Sequence, residues 1–242
     1  MSPPLARRVL AEFLGSAFLA ALVIGSGIAA QQLSGDTGLR LLENAAATAA
    51  GLYAIILMFG PVSGGHFNPV VSLVDAAFGG LTRRDTLAYI AAQVAGCITG
   101  AIAGNAMFAL SAISIATHHR ASPAHLLGEA IATFGLILVI FALARTGRTA
   151  TAPAAVGAYI GAAYWFTSST SFANPAIAIG RIFSDTFAGI APASVVPFIV
   201  AQLVGGLLAI GAIRALYPDV GPAEAAEVVV PHHSAAPQTE RR

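Results

Sequence analysis

The sequence is short of charge, lysine and cysteine, and each shortage narrows the classes of protein to consider. Only 10% of its 242 residues are charged, whereas 57% are hydrophobic. All 12 basic residues are arginines, and they are scattered, so no basic run indicates a nucleic-acid partner. The single cysteine, Cys97, excludes a disulfide within the chain. One soluble core cannot bury so much apolar surface, and we therefore expect a lipid bilayer to surround much of the chain.

What the sequence does contain is a series of apolar runs separated by charges. Most of them approach the roughly 20 residues that a hydrocarbon core about 30 Å thick requires. The first run has no clear signal-peptide cleavage site and is followed by further runs, so we expect it to remain in the membrane. Six transmembrane helices are predicted, over residues 9–30, 44–59, 86–115, 126–144, 149–166 and 193–213.

Six crossings place both termini on one side of the membrane, and the arginines predict which side that is. Arginines near span ends favour the cytoplasmic side. We therefore expect cytoplasmic termini and a location in the inner membrane. The segment 218–242 is predicted to be a disordered cytoplasmic tail. The terminus side carries Arg7, Arg8, Arg83, Arg84, Arg145, Arg148 and Arg214, against Arg40, Arg120 and Arg181 on the other side.

The two halves of the chain resemble each other. The stretch "AEFLGS" (11–16) has a counterpart in "GEAIAT" (128–133), and "YIAAQVAG" (89–96) returns as "FIVAQLVG" (198–205). Each half has three spans, an odd number, so the second half is inverted relative to the first. The sequence therefore predicts an all-α membrane protein with inverted repeats over about 5–115 and 122–217, forming one domain over 1–217.

Two polar stretches, "SGGHFNPVVS" (63–72) and "SFANPAIAIG" (171–180), interrupt the apolar sequence. Asparagine is a good helix cap and proline a good first helical residue, so each Asn-Pro pair predicts a re-entrant half-helix. Inverted symmetry brings the two helix N-termini together at mid-membrane, each with roughly half a positive charge. Such a site repels cations, while the Asn68 and Asn174 amides donate to an oxygen. The pattern favours a pore for neutral hydroxylated solutes.

Together, these features resemble the aquaporin and aquaglyceroporin family over about residues 5–217. The resemblance implies a passive channel that is not an enzyme, has no cofactor, and forms a homotetramer with one pore per subunit. It also implies that Asn68 and Asn174 are paired pore asparagines and that Glu12 and Glu129 are buried and hold the re-entrant segments. Other expected pore residues are Pro69, Pro175, Val70, Ala176 and His66, and Gln93 and Gln202 are expected to be buried between helices.

Departures from the family pattern concern the constriction. Val70 stands where the family has alanine, and Ile177 where it usually has arginine. Counting from the motifs assigns the constriction to Thr48, Ala162, Ser171 and Ile177, a small set that predicts a wide opening. The stretch "NPAIAIGRIFSDTFAG" (174–189) is similar to a bacterial branch associated with arsenic resistance, which implies arsenite, glycerol and water as solutes.

Several alternatives stay open. Arg181 is interpreted as a displaced filter arginine, and the alternative is an ion pair with Asp185 that only anchors the loop. The glutamates are expected to be buried and hydrogen-bonded, because a hydroxyl, Ser16 or Thr133, follows each by four residues; the alternative places them at helix ends. A water-selective channel or an inverted-repeat secondary transporter are the competing functions.

The histidines have plain alternatives as well. His66 either gates the pore or satisfies the loop backbone. A metal site at His118, His119 and His125 is less expected than three solvated loop side chains, and we expect no metal. His232 and His233 belong to the predicted tail.

Overall fold

The computed structural model describes residues 3–217. The predicted tail, including His232 and His233, lies outside the described residues. The described part contains eight α-helices and no β-strand. They are α1 (Leu5–Leu33), α2 (Thr37–Ser63), α3 (Pro69–Phe78), α4 (Arg83–Met107), α5 (Pro123–Arg145), α6 (Ala152–Phe166), α7 (Pro175–Gly180) and α8 (Pro192–Leu216).

The predicted arrangement of six long helices and two half-helices is confirmed. Among the described residues, α1, α2, α4, α5 and α8 are long and apolar enough to cross a membrane. Helix α6 has 15 residues and is extended by a preceding 3₁₀ turn over Thr149–Thr151. The largest difference from the predicted bounds is at the end of α4. The predicted span 86–115 continued to residue 115, and this was wrong, because the helix ends at Met107. Beyond it, Ala109 adopts a left-handed backbone, and residues 111–122 form an extended segment that binds another loop.

Glycines let the long helices of each half approach closely. In the first half, a Cβ atom on Gly96 or Gly100 would collide with backbone carbonyls of α1, at Phe13 and Ala17 respectively. In the second half, a Cβ on Gly205 of α8 would collide with the Ala130 carbonyl of α5. Gly96 and Gly205 occupy matching positions of the repeat, so the α1–α4 and α5–α8 pairs are built on the same small-residue contact.

Side-chain contacts define the two ends of the helix bundle. The Arg8–Asp85 ion pair (2.7 Å) joins the start of α1 to the start of α4. The ring of Phe78, the last residue of α3, lies near the guanidinium groups of Arg145 in α5 and Arg214 in α8. We call this end the terminus face. The opposite end, which carries residues 108–122 and 184–191, is called the loop face.

The half-helices meet in the middle of the bundle. Helix α3 runs from Asn68 towards the terminus face, and α7 runs from Asn174 towards the loop face. The Asn68 amide donates to the Ala173 carbonyl, and the Asn174 amide donates to the Phe67 carbonyl, both at 2.7 Å. These crossed hydrogen bonds fix the two N-termini against each other.

Candidate pore between the two half-helices

Each motif asparagine caps its own half-helix and also binds the other one. The Asn68 Oδ1 atom accepts from the backbone N–H of Val70 (2.9 Å), and the Asn174 Oδ1 atom accepts from Ala176 (3.0 Å) and Ile177 (3.3 Å). A side-chain amide carries two N–H groups, and the crossed bond to the opposite half-helix uses one of them. The other N–H of each asparagine is therefore available to a solute.

The residues that precede the two asparagines are strained. Phe67 has a φ of 48° and Ala173 a φ of 47°, a left-handed conformation that costs residues with a Cβ atom roughly 1–2 kcal/mol. In this conformation their carbonyls accept the crossed asparagine bonds. Their N–H groups donate in the other direction, to Glu12 and Glu129.

Glu12 is fully buried and anchors the first re-entrant segment. Its Oε1 atom accepts from the Ser63 hydroxyl (2.6 Å) and the His66 N–H (3.0 Å). Its Oε2 atom accepts from the Phe67 N–H and from Gln93 of α4, both at 2.7 Å. The carboxylate thus ties the loop before α3 to α1 and α4.

Glu129 does the same in the second half. It accepts from the N–H groups of Phe172 (2.8 Å) and Ala173 (2.9 Å), and from the Gln202 amide of α8 (2.6 Å). Glu12, Glu129, Gln93 and Gln202 are all fully buried. The burial of the two glutamates was predicted from the hydroxyl four residues after each of them. That reason was wrong, because the Ser16 and Thr133 hydroxyls have no hydrogen-bond partner among the described residues.

A cavity runs past the junction of the half-helices. Most of its lining is apolar and comes from α1, α2, α5 and α6, including Leu19, Leu52, Ile56, Leu136, Ile140 and Ile160. Its polar groups lie along the re-entrant segments and at Thr48 of α2 and Tyr164 of α6. Seven of the predicted site residues line this cavity, namely Thr48, His66, Asn68, Ser171, Asn174, Ile177 and Arg181.

Other predicted site residues lie elsewhere. The assignment of Ala162 to the constriction was wrong, because Ala162 is exposed on α6 and does not line the cavity. Val70 is buried but also absent from the lining, since its side chain packs where α8 has Gly206. Pro69, Pro175 and Ala176 are buried in the first turns of the half-helices, where they shape the backbone without lining the cavity.

Sequence reasoning missed three aromatic lining residues, Phe67, Tyr164 and Phe172. Tyr164, two positions after Ala162, lines the cavity, and its hydroxyl lies 3.2 Å from the Thr48 hydroxyl. Counting from the motifs gave Ala162 instead of Tyr164, because α6 contains no motif that shows which of its faces lines the cavity. Phe67 and Phe172 lie within the two Asn-Pro stretches, but they were not assigned a role. The four positions counted from the motifs contain no aromatic side chain, whereas the cavity lining does.

Arg181 lies at the loop-face end of the cavity. Its guanidinium carbon is 3.4 Å from the centre of the Phe172 ring, and its Nε donates to the Ala188 carbonyl. The alternative pairing with Asp185 does not occur, because that carboxylate accepts from the N–H and hydroxyl of Thr117. The terminal guanidinium nitrogens make no hydrogen bond within residues 3–217, which leaves their donors for a solute.

The histidines fall into two groups. His66 lines the cavity, and its Nδ1 lies 3.0 Å from the Ser72 hydroxyl. On the loop face, the Nδ1 of His118 lies near Arg120, and that of His125 lies 2.6 Å from the Arg120 carbonyl. Burial, followed by the charge of Arg120, lowers the pKa of His118. In the described part of the chain, no group of His, Cys, Asp or Glu is arranged to hold a metal.

Comparison with known proteins agrees with this geometry. The family model described as Major intrinsic protein matches residues 1–172. Aquaglyceroporin AqpS of Rhizobium meliloti is 48% identical over 90% of this chain and 93% of its own length. Aquaporin A of Dictyostelium discoideum is 31% identical over 70% of this chain and 65% of its own length.

A solved structure shares the fold. The X-ray structure of the aquaglyceroporin from Plasmodium falciparum superposes with a TM-score of 0.70 at 19% identity, covering 89% of this chain and 98% of that one. The protein is an integral, multi-pass membrane channel for small solutes and is not an enzyme. By its sequence, its paired half-helices and its fold, the chain belongs to the major intrinsic protein family.

Proposed function

We propose that this protein is a passive channel for small neutral hydroxylated solutes, including arsenite as its uncharged trihydroxide, glycerol and water. The observation that carries the proposal is the lining of the cavity, which is mostly apolar and contains a few polar groups at its re-entrant segments and on α2 and α6. These polar groups include the Asn68 and Asn174 amides, the Tyr164–Thr48 hydroxyl pair and the Arg181 guanidinium. A polyol or arsenite can replace its hydrating water by hydrogen bonds to these groups, and the rest of its surface contacts the apolar lining.

The charge pattern supports neutral solutes over ions. Two helix N-termini and Arg181 place positive charge along the path, and no described carboxylate lines the cavity to offset it. A cation must lose its hydration shell without finding anionic ligands. Similarity to an aquaglyceroporin over 90% of the chain supports solutes larger than water.

The proposal extends to assembly and location. We infer a homotetramer with one pore per subunit, in the inner membrane, with both termini cytoplasmic and residues 1–217 forming the channel. Seven arginines at the terminus face against three at the loop face support this orientation.

The test is flux into proteoliposomes that contain the purified full chain. Stopped-flow light scattering measures water and glycerol permeability, and arsenic analysis of washed vesicles measures arsenite uptake. We expect all three permeabilities to exceed those of empty vesicles, and we expect the glycerol and arsenite fluxes to rise linearly with solute concentration. Water flux alone would indicate a water-selective channel, and saturable uptake driven by an ion gradient would indicate a transporter.

A further inference from the structure

We propose that Arg120 is a second specificity-determining arginine of the channel mouth, which acts with Arg181 to exclude cations. This inference rests on the proposed function, in which the cavity conducts neutral solutes and Arg181 faces it. Arg120 comes from the extended segment between α4 and α5, far from both Asn-Pro motifs in sequence. It does not line the cavity itself, so its effect is exerted through space.

The two guanidinium groups share one aromatic ring. The Arg120 guanidinium carbon lies 5.4 Å from the centre of the Phe172 ring, and that of Arg181 lies 3.4 Å from the same point. The two carbons can be no further apart than the sum of these distances, which is within a Debye length of about 10 Å at 0.1 M salt. An ion entering past Arg181 therefore experiences both charges.

One run of backbone carbonyls holds both arginines. The Arg120 side chain donates from Nε to the Gly189 carbonyl (2.8 Å) and from a terminal nitrogen to the Phe187 carbonyl (2.9 Å). Between them, the Ala188 carbonyl accepts from Arg181. The three consecutive carbonyls fix the two side chains in one layer. Gly189 makes this possible, because a Cβ there would collide with the Ser184 carbonyl.

Both charges are uncompensated by direct ion pairing. Within residues 3–217, neither arginine has a carboxylate oxygen within ion-pair distance. Asp185 is bound to Thr117, and Glu129, which attracts both arginines through space, accepts three other hydrogen bonds. Burial lowers the pKa of Arg120 to about 10, which still leaves it charged at neutral pH.

The segment that carries Arg120 is held independently of its side chain. The Ala116 N–H donates to the Ile182 carbonyl and the Ala191 N–H to the His118 carbonyl, both at 2.8 Å. The backbone N–H of Arg120 itself donates to the Ser194 hydroxyl (2.9 Å). Because these contacts do not involve the guanidinium, a change of the Arg120 side chain leaves the segment in place.

The test compares cation leak with neutral-solute flux in the same proteoliposomes. Proton leak is followed with an entrapped pH-sensitive dye under an imposed gradient, and glycerol flux by light scattering. For Arg120→Gln we expect leak to rise roughly twofold to twentyfold. Coulomb's law gives this range at an effective dielectric constant of about 20–80 for an ion as far from Arg120 as the Arg181 guanidinium can be, about 9 Å. Glycerol flux should stay at the wild-type value, because a neutral solute does not respond to the lost charge.

Three further variants make the outcome decisive. Arg120→Lys should remain as tight as wild type, since it keeps the charge, and Arg120→Gln with Arg181→Gln should leak more than either single variant. Arg40→Gln removes an arginine from the same face whose side chain binds only loop carbonyls near Ser34, and it should not leak. A tight Arg120→Gln protein, or an Arg120→Lys protein as leaky as Arg120→Gln, would overturn the inference.

Failure of this inference is distinguishable from failure of the proposed function. A wild-type protein that conducts neither glycerol nor arsenite contradicts the proposed function, whatever the leak measurements show. A conducting wild type with a leaky Arg181→Gln and a tight Arg120→Gln contradicts only the role of Arg120.

Discussion

The Asn174 side chain makes three hydrogen bonds, which serve two tasks. Two cap its own half-helix, and one reaches the Phe67 carbonyl of the other. We predict that Asn174→Leu lowers the permeability to every solute, because a solute that sheds water there loses a donor worth on the order of 1–3 kcal/mol. Permeability per inserted molecule checks this prediction, and unchanged permeability in correctly inserted protein would contradict the donor role.

Ile177 lines the cavity one turn before Arg181, so its size bears directly on the width of the path. We predict that Ile177→Arg reduces glycerol and arsenite permeability more than water permeability, because a long cation fills the opening. The ratio of the permeabilities is the measurement. Ile177→Leu conserves volume and serves as the control, with ratios close to wild type. Equal loss for all solutes would instead indicate misfolding.

At the scale of elements, the buried glutamates determine where the half-helices lie. Glu129 accepts from the N–H groups of Phe172 and Ala173 and from the Gln202 amide, so both of its oxygens act as acceptors. We predict that Glu129→Gln destabilises the protein by about 1–3 kcal/mol, because its NH₂ group would face one of those donors. Thermal unfolding in detergent measures the loss. Glu43→Gln, a change on α2 away from the re-entrant segments, is the control and should unfold as wild type does.

The contact between α1 and α4 gives a second prediction at this scale. A Cβ on Gly100 would collide with the Ala17 carbonyl, whereas a Cβ on Gly211 meets nothing within 4 Å. We predict that Gly100→Ala lowers stability by about 1–3 kcal/mol through overpacking. Gly211→Ala should be neutral or raise stability by up to about 1 kcal/mol, through the helix preference of alanine. Equal melting temperatures for the two variants would contradict the close-packing argument.

The elements were largely predictable from the sequence, and the rotation of helices was not. The Asn-Pro pairs predicted both half-helices because a cap and a first-turn proline are local signals that tertiary contacts did not override. Ala162 was placed on the cavity and Tyr164 was not, because α6 is apolar on every side and gives no amphipathic pattern to orient it. Likewise, the proximity of Arg120 to Arg181 depends on a long-range loop contact that no local pattern encodes.

At the scale of the whole molecule, the two ends of the bundle differ in charge. Of the ten arginines within residues 3–217, seven lie at the terminus face, including Arg8, Arg145 and Arg214 at helix ends, and three lie at the loop face. Positive residues near span ends favour the cytoplasmic side, and this difference is the basis for the proposed cytoplasmic termini. With the proposed orientation, the loop face is external, and Arg120 and Arg181 lie at the external mouth.

The lone cysteine makes orientation directly measurable. Cys97 is fully buried, so a membrane-impermeant thiol reagent should leave wild-type protein in intact cells unlabelled. His119 is exposed on the loop face, and Thr146 is exposed on the terminus face just after α5. With cytoplasmic termini, we predict that His119→Cys is labelled in intact cells, whereas Thr146→Cys is labelled only after the membrane is permeabilised. The reverse pattern would show that the termini are external, and it would place the paired arginines at the cytoplasmic mouth instead.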